Sequence, residues 1–372
     1  MQRLDTARNP DRRRFLHVAS RLRLNDPLWV APLESEQHRV LGPGNPFHKH
    51  AAMELFVATG PAGDVGRLAV IEDRTHNSIH GERTAFFGFF ESVEDPAVSG
   101  ALFNAAADWA RHRGLDRLRG PMNPSINDEC GLLVEGFDTP PAIMMPHNPP
   151  HHAHLLAASG FAKIKDLLAF QMRVADAPAA VLSRFLQKFA RREPDVTLRA
   201  LERRTLGIEV PKIRTVYNLA WEKNWGAVPL TPAEIDFLVE RLAPLLVPGL
   251  VWVAEVRGEP AGFLLALPDF NQVLRRLRGR LLSVRLPLVL PDLLGWRQPD
   301  AIRMVALGVR HEFQGRGIES AMLAKTLEAC RRRHFATCEA SWTLEDNTAV
   351  QRLIARFGGR RHKTYRIFEK PL

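Results

Sequence analysis

Cysteine is scarce in this chain of 372 residues: Cys130, Cys330 and Cys338 are the whole complement. Three thiols make no disulfide framework. Tyrosine is scarcer still, at two, so platforms for stacking bases are few. No Cys/His finger, recognition-helix signature or RNP-like strand is present, and no nucleic acid is expected as partner. No apolar run approaches the ~18–20 uncharged residues of a membrane-spanning helix. The stretch "MQRLDTARNPDRRRF" lacks the apolar core of a secretory signal, which predicts a cytoplasmic protein. Acidic residues are outnumbered, 41 against 51 Lys and Arg, for a net charge of +10. Such a surplus suits an anionic partner: an anionic membrane surface, a phosphorylated cofactor or an acidic carrier protein.

What is present is long enough for two cores, and the same order of elements occurs twice. In the second half, "DVTLRALE" reads as a strand, "GIEVPKIRTVYNLAWEKNW" and "TPAEIDFLVERLAPLL" as helices, and "VWVAEV", "AGFLLALP" and "IRMVALGV" as strands. A glycine turn then opens the helix "SAMLAKTLEACRRRH", followed by strand "ATCEASW", helix "NTAVQRLIARFGG" and strand "KTYRIFEK". The first half echoes this, except that "ESVEDPAVSGALF" stands where the second has "HEFQGRGIESAML". Acidic residues and a proline there cannot present a row of free backbone N–H groups to a phosphate. We expect an α/β protein with mixed sheets in two lobes, residues 1–175 and 195–372, joined by a linker helix over 176–194.

The turn Gln314-Gly315-Arg316-Gly317 precedes a helix whose first N–H groups lack intrahelical partners and carry the positive end of the dipole. Glycines let the backbone approach an oxygen, and Arg316 adds charge. "VRHEFQGRG" resembles the acetyl-CoA loop, Q/R-x-x-G-x-G/A, of the GNAT N-acyltransferase superfamily. "NTAVQRLIARFGG" is similar to the helix after that superfamily's fifth strand, with Asn347, Leu353 and Gly358 in register. The resemblance implies a sheet whose central strands part around the pantetheine arm. It also implies acyl-CoA as co-substrate, held by Gln314, Gly315, Arg316, Gly317, Ile318 and Asn347, with Leu307, Gly308 and Val309 supplying backbone donors. Gly308 also reads as a local bulge. Across its length the chain resembles bacterial tandem-GNAT proteins, a group including ceramide synthases that N-acylate a sphingoid amine. "FFGFFE", "GPMNPSINDECGLLVEGFDTPPAIMMPHNPP" and "SWTLEDN" carry that likeness.

Two positions depart from the pattern. Glu319 replaces its final Gly/Ala: either it faces solvent and favours the helix N-terminus, or it repels the phosphates, in which case the donor is an acyl carrier protein held by its pantetheine arm. Ile354 stands where many members have a tyrosine acid. Tyr365 is either its substitute or a packing residue, and a CoA thiol of pKa near ~8.5 can leave without an acid.

Amide formation from a thioester needs a base for the amine. In "TCEASW", alternation puts Thr337, Glu339 and Ser341 on one face. Glu339 is the base candidate, and burial would raise its pKa; a structural ion pair with an arginine is the competing reading. Asn218, Trp221, Asn224 and Trp225, with Ser341 and Trp342, are candidates to line the acceptor, Trp221 and Trp225 sharing a helical face at i, i+4; core packing competes. "HNPPHHAH" lacks carboxylate partners, and Cys330, His334 and Cys338 span a helix and a strand, so no metal is expected. The insertion 269–300 sets Leu274, Leu277, Leu281 and Leu282 beside Arg275, Arg276, Arg278, Arg280 and Arg285. It reads as an amphipathic arm for anionic lipid or as a brace over the other lobe. These features predict an acyl-CoA-dependent N-acyltransferase acting on a long-chain amine, probed against two alternatives: acetylation of a small polar amine and a non-catalytic CoA or membrane adaptor.

Overall fold

The computed structural model describes residues 1–277 and 299–372. Its chain forms two compact units. The first contains Met1–Leu167, the helix Asn271–Leu277 and Lys363–Leu372; the second contains Leu168–Phe270 and 299–362. The helix expected as a separate linker, Ala179–Arg192, is thus part of the second unit, because Leu182 and Phe189 are buried in that unit's core. The C-terminal strand, Arg360–Pro371, begins in the second unit and ends in the first.

In the first unit the strand order is Gln2–Leu4, Ala51–Gly60, Gly63–Asp73, Thr84–Ser92, Arg117–Gly120 and the end of Arg360–Pro371. Thr84–Ser92 pairs in parallel with Arg117–Gly120. A parallel pair needs a crossover, and the helix Pro96–Arg111 supplies it, burying Leu102, Phe103 and Ala106 against Phe87 and Leu118.

The second unit repeats the arrangement. Val196–Ala200, Val251–Val256, Glu259–Pro268 and Ala301–Val309 are successive antiparallel neighbours, and Ala301–Val309 pairs in parallel with Thr337–Leu344. The crossover helix, Ile318–Arg332, buries Ile318, Met322, Leu323 and Leu327 completely. At ~1.5–3 kcal/mol per buried side chain, that face fixes the helix and hence the loop before it. Thr231 and Glu234 form a reciprocal capping box that starts the helix Pro232–Leu242.

The described start of the insertion is the helix Asn271–Leu277. Val273 and Leu277 are buried, Arg275 and Arg276 are exposed, and Asn271 Nδ2 donates to the Pro141 carbonyl at 2.9 Å within the first unit. The expected positions Arg278, Arg280, Leu281, Leu282 and Arg285 lie outside the described residues. Among the described residues, no helix is long and apolar enough to cross a membrane.

Candidate active site

The register of the second unit contains a gap. Ala301–Val309 pairs with Thr337–Leu344 from Ala301↔Thr337 to Met304↔Ala340, and the pairing stops there. Both strands continue, the first still bonded on its other side through Leu264↔Leu307, Phe263↔Gly308 and Gly262↔Val309. The backbone edge of 305–309 therefore has no strand partner toward Thr337–Leu344, although it lies inside a sheet. Backbone amides left this way need another partner, and an extended ligand carrying amides fits that need. A register shift occurs beside Val305, opposite Leu265 and Ala266. The bulge expected at Gly308 is thus at Val305, and Gly308 is in regular pairing.

The loop that follows has the expected glycine geometry. Gly315 and Gly317 have φ of 80° and 83°, and nothing lies within 4 Å of a Cβ built on Gly315. Gln314 Nε2 donates to the Val309 carbonyl at 3.1 Å, tying the loop to the strand end. Gly317 is the N-cap of Ile318–Arg332, and no side chain caps that helix. The helix start therefore offers N–H groups to an anion, although that of Glu319 faces its own carboxyl. Arg316 departs from expectation. Its guanidinium is held by Glu193 at 2.5 Å and Asp195 at 2.5 Å, so its charge is balanced within the protein. Glu319 is half-buried rather than solvent-facing; burial raises its carboxyl pKa, and its own backbone N–H opposes that.

Glu339 sits one residue before the parting, in register with Arg303. It is 7% exposed, and Ser341 and Arg303 are each 4% exposed. The Ser341 hydroxyl donates to Glu339 Oε1 at 2.7 Å, Arg303 Nε donates to that hydroxyl at 2.9 Å, and His362 Nε2 lies 3.0 Å from Glu339 Oε2. Burial alone would raise the carboxyl pKa; contact with His362, the Ser341 hydroxyl and the charge of Arg303 outweigh it and hold the pKa below the ordinary value. The expected upward shift is thus reversed. The arginine of the competing reading, Arg303, reaches the carboxylate through the Ser341 hydroxyl, and the His362 ring lies beside it.

An aromatic wall covers the adjoining strand. The Trp221 ring stacks on Tyr217, with centroids 4.8 Å apart, and lies 5.5 Å from Phe263. It presses on Gly308 so closely that a Cβ there would be 2.4 Å from the ring. Gly308 is glycine because of this approach. The helix Leu206–Trp221 ends at Trp221, so Trp225 falls in the following turn and the expected shared face does not form. The Asn218 side chain is spent on the loop: it accepts from Leu230 N at 3.0 Å and donates to Leu230 O at 3.2 Å. Asn224 lies in the same turn, its backbone N–H donating to the Trp221 carbonyl at 2.8 Å.

Residues 211–359 match the acetyltransferase (GNAT) family model. A bacterial ceramide synthase of Caulobacter vibrioides is 37% identical, covering 97% of this chain and 94% of its own. Protein YghO of Escherichia coli is 34% identical over 97% and 93%. The chain belongs to the GNAT family. It is an N-acyltransferase, and its tandem fold has a solved counterpart. A tandem GNAT protein from the clavulanic acid biosynthesis pathway aligns over 100% of this chain and 98% of its own, with a TM-score of 0.61 at 14% identity.

Within the C-terminal GNAT lobe, Glu339 and Ser341 lie where the strands begin to part, and Gln314 is bonded to the strand end at Val309. Asn347 serves as N-cap of Thr348–Arg356, accepting from Val350 N at 3.2 Å, and Trp342 is half-buried beyond the parting. Tyr365 belongs to the N-terminal unit, where it is fully buried and pairs with Leu133. Arg303, His362 and Tyr217 were not anticipated. Tyr217 precedes Trp221 by one helical turn, a same-face spacing readable from sequence. Arg303 meets Glu339 through strand register, and His362 reaches it from another strand, Arg360–Pro371. Among the described residues, no group of three His, Cys, Asp or Glu is placed to hold a metal ion.

Proposed function

We propose that this GNAT protein transfers a fatty acyl group from acyl-CoA to the primary amine of a long-chain base, a ceramide synthase-type reaction of sphingolipid formation. The observation that carries this reading is the buried Glu339 carboxylate at the point where the two central strands part. The free edge of 305–309 suits the amides of a pantetheine arm, and the uncapped helix behind Gly317 suits its phosphates. The amine nitrogen attacks the thioester carbonyl carbon, the C–S bond breaks, and the sulfur leaves as thiolate. The proton lost by nitrogen goes to Glu339, with His362 at 3.0 Å as the next acceptor. A carboxylate whose pKa is lowered is ready as a base at neutral pH, and the Arg303–Ser341 contacts fix its orientation.

The Tyr217–Trp221–Phe263 wall favours an apolar chain over a small polar amine. The net charge of +10 suits a reaction at an anionic membrane surface of the cytoplasmic side. The test is thiol release by the pure protein with acetyl-, palmitoyl- and longer acyl-CoA, with and without sphinganine. Amine-dependent release with a long acyl chain supports the reading. Release with acetyl-CoA and small polar amines alone would replace it by the acetylation reading. Turnover only with an acylated carrier protein would change the donor.

A further inference from the structure

Around the glycine loop of the second unit, positive charge is tied up and negative charge is in surplus. Arg316 is shared by Glu193 and Asp195, and Arg310 by Glu259 at 2.8 Å and by Glu312. The exposed Arg257 reaches Asp195 at 3.3 Å. Glu319, inside the first turn of Ile318–Arg332, has no ion-pair partner among the described residues. A pyrophosphate with a further 3′-phosphate, as in CoA, meets more repulsion here than a single phosphodiester does.

Free cations lie beside that loop, on the helix Ala179–Arg192. It holds Arg184, Lys188, Arg191 and Arg192 and no acidic residue. All four are exposed, and none makes an ion pair among the described residues. At about 3.6 residues per turn they share one side of the helix, opposite Leu182, Phe185, Leu186 and Phe189, which pack into the core. The helix runs antiparallel to Ile318–Arg332. At one end Arg331 Nη1 donates to the Ala177 carbonyl at 3.3 Å; at the other, Phe189 lies 3.9 Å from a Cβ built on Gly317. The stripe therefore ends at the loop. The neighbouring helix mixes its signs, with Glu328 4.0 Å from Lys325 and 3.9 Å from Arg332, so its charges are met locally.

The shape of the stripe selects its occupant. Arg184 and Arg192 stand ~12 Å apart along the axis, so one phosphate group cannot meet them all. An extended anionic surface can. A bilayer fits poorly, because an interfacial helix sinks its apolar side into lipid, and the apolar side of this helix is already spent on the core. An acidic protein that carries its acyl thioester on a pantetheine arm fits both features: its surface meets the stripe, and its arm meets the loop through one phosphodiester. We propose that the outward face of Ala179–Arg192 docks an acidic acyl carrier protein, which serves beside CoA as a second form of the acyl donor. The inference rests on the acyl-transfer reading and adds a partner to it; the bonds made and broken at Glu339 are the same.

The test titrates the full chain with a purified acidic acyl carrier protein, with and without its pantetheine arm, and follows binding by fluorescence anisotropy. The form with the arm should bind, more weakly as salt rises, and should displace CoA. The form without it should bind and leave CoA in place. Combining Arg184→Glu, Lys188→Glu and Arg191→Glu should weaken the carrier about tenfold or more, with CoA affinity and acyl-CoA turnover within about twofold of wild type. The same three positions changed to glutamine should give an intermediate loss, a graded response that a folding defect would not produce. Equal loss of CoA affinity in the glutamine variant would assign the stripe to the CoA nucleotide. Vesicles of phosphatidylglycerol and phosphatidylcholine that bind through these cations, with no binding of the carrier, would make it a membrane face. Either result overturns the proposal, as does carrier binding indifferent to the substitutions. The two readings fail separately: acyl-CoA turnover without carrier binding removes only the docking surface, whereas stripe-dependent carrier binding without acylation of an amine from either donor removes only the acyltransfer reading.

Discussion

The two lobes of this protein part their central strands at equivalent places and then do opposite things with the gap. In the N-terminal lobe the parallel pairing runs from Thr84↔Arg117 to Phe86↔Arg119 and stops. The chain itself then enters. Phe89 N donates to Asn123 Oδ1 at 2.6 Å, and the Met122 carbonyl stands where a Cβ on Gly88 would be 1.7 Å away. The following helix is closed as well: Pro96 removes one N–H and the Asp95 carboxylate accepts another, from Ala97, at 2.8 Å. In the C-terminal lobe the edge of 305–309 has no strand partner toward Thr337–Leu344, only Gln314 reaching back to the Val309 carbonyl, and the N-cap glycine, Gly317, has no side chain to cap the following helix. Topology alone therefore does not make a cofactor cleft. What decides is whether the protein supplies its own partner for the backbone groups that the parting exposes. Glycine serves both outcomes, admitting a carbonyl at Gly88 and leaving open space at Gly315.

The sharpest way to break this comparison is to remove the chemistry from the open lobe. Glu339→Gln keeps the shape and removes the base, so kcat should drop by ~10²–10⁴ with the acyl-CoA KM little changed. The rate of the variant should rise with pH, as the amine comes to lose its proton to solvent. In the wild-type chain the Glu339 pKa is held below its ordinary value. Its ionised form therefore stabilises the fold above the unfolded-state pKa of ~4.3, and that contribution is lost as pH falls through the lower folded value. An acid limb of kcat/KM above that range that the titration of the amine substrate does not account for would assign the base elsewhere. Unchanged kcat in a folded variant would leave Glu339 as a structural partner of His362.

Next in size is donor binding. A titration of CoA should give one site per chain, because only one of the two partings is free. Gly317→Asp places a carboxylate at the uncapped helix start and should weaken CoA about tenfold to hundredfold. Two sites per chain, or unchanged affinity in the variant, would end the contrast between the lobes.

How far the sequence carried these points differs by residue. The strand and helix order was legible because alternation and apolar periodicity survive in "IRMVALGV" and "AMLAKTLEACRRRH". The closed N-terminal helix was legible in its proline and acidic residues, and the open one in Gln314, Gly315 and Gly317. The filling of the N-terminal gap by Met122 and Asn123 was not, since main chain crossing a sheet leaves no periodic signal. Arg316 misled because its partners, Glu193 and Asp195, are more than a hundred residues away in sequence. Glu339 misled in sign: alternation showed its face, but only tertiary structure brings Arg303, by register, and His362, by a side-chain contact, to it, and these outweigh burial.

Two glycine substitutions probe the filling of each lobe. Gly88→Ala sets a methyl against main chain at Met122, which cannot turn aside, and should cost ~3 kcal/mol or more in a denaturant melt. Gly308→Ala meets the Trp221 ring, a side chain able to shift, and should cost ~1–3 kcal/mol. Trp221→Leu in the Gly308→Ala background should recover part of that loss, whereas no nearby side-chain change should rescue Gly88→Ala. Equal costs, or rescue of both, would mean the N-terminal gap is filled no more rigidly than the C-terminal wall.

The smallest expected effect concerns the residue that breaks the glycine-loop pattern. Glu319 is one residue inside the open helix, half-buried, and its pKa is raised chiefly by burial. A raised folded-state pKa means that the protonated form favours the fold: the associated stability is complete below the unfolded-state value of ~4.3 and is lost as pH rises through the folded one. At neutral pH the ionised carboxylate therefore burdens the fold while opposing any phosphate brought to the same helix end. Glu319→Gln removes both effects and keeps the volume. The variant should bind CoA a few-fold more tightly at neutral pH, on the order of ~0.5–1 kcal/mol for a charge near a helix terminus. It should also melt slightly higher at neutral pH, with the difference vanishing in acid, where wild type is protonated too. Paired calorimetry and melting at neutral and acidic pH check both. If affinity is unchanged while the melting difference persists, the carboxylate points away from the donor phosphates and its cost is purely one of burial.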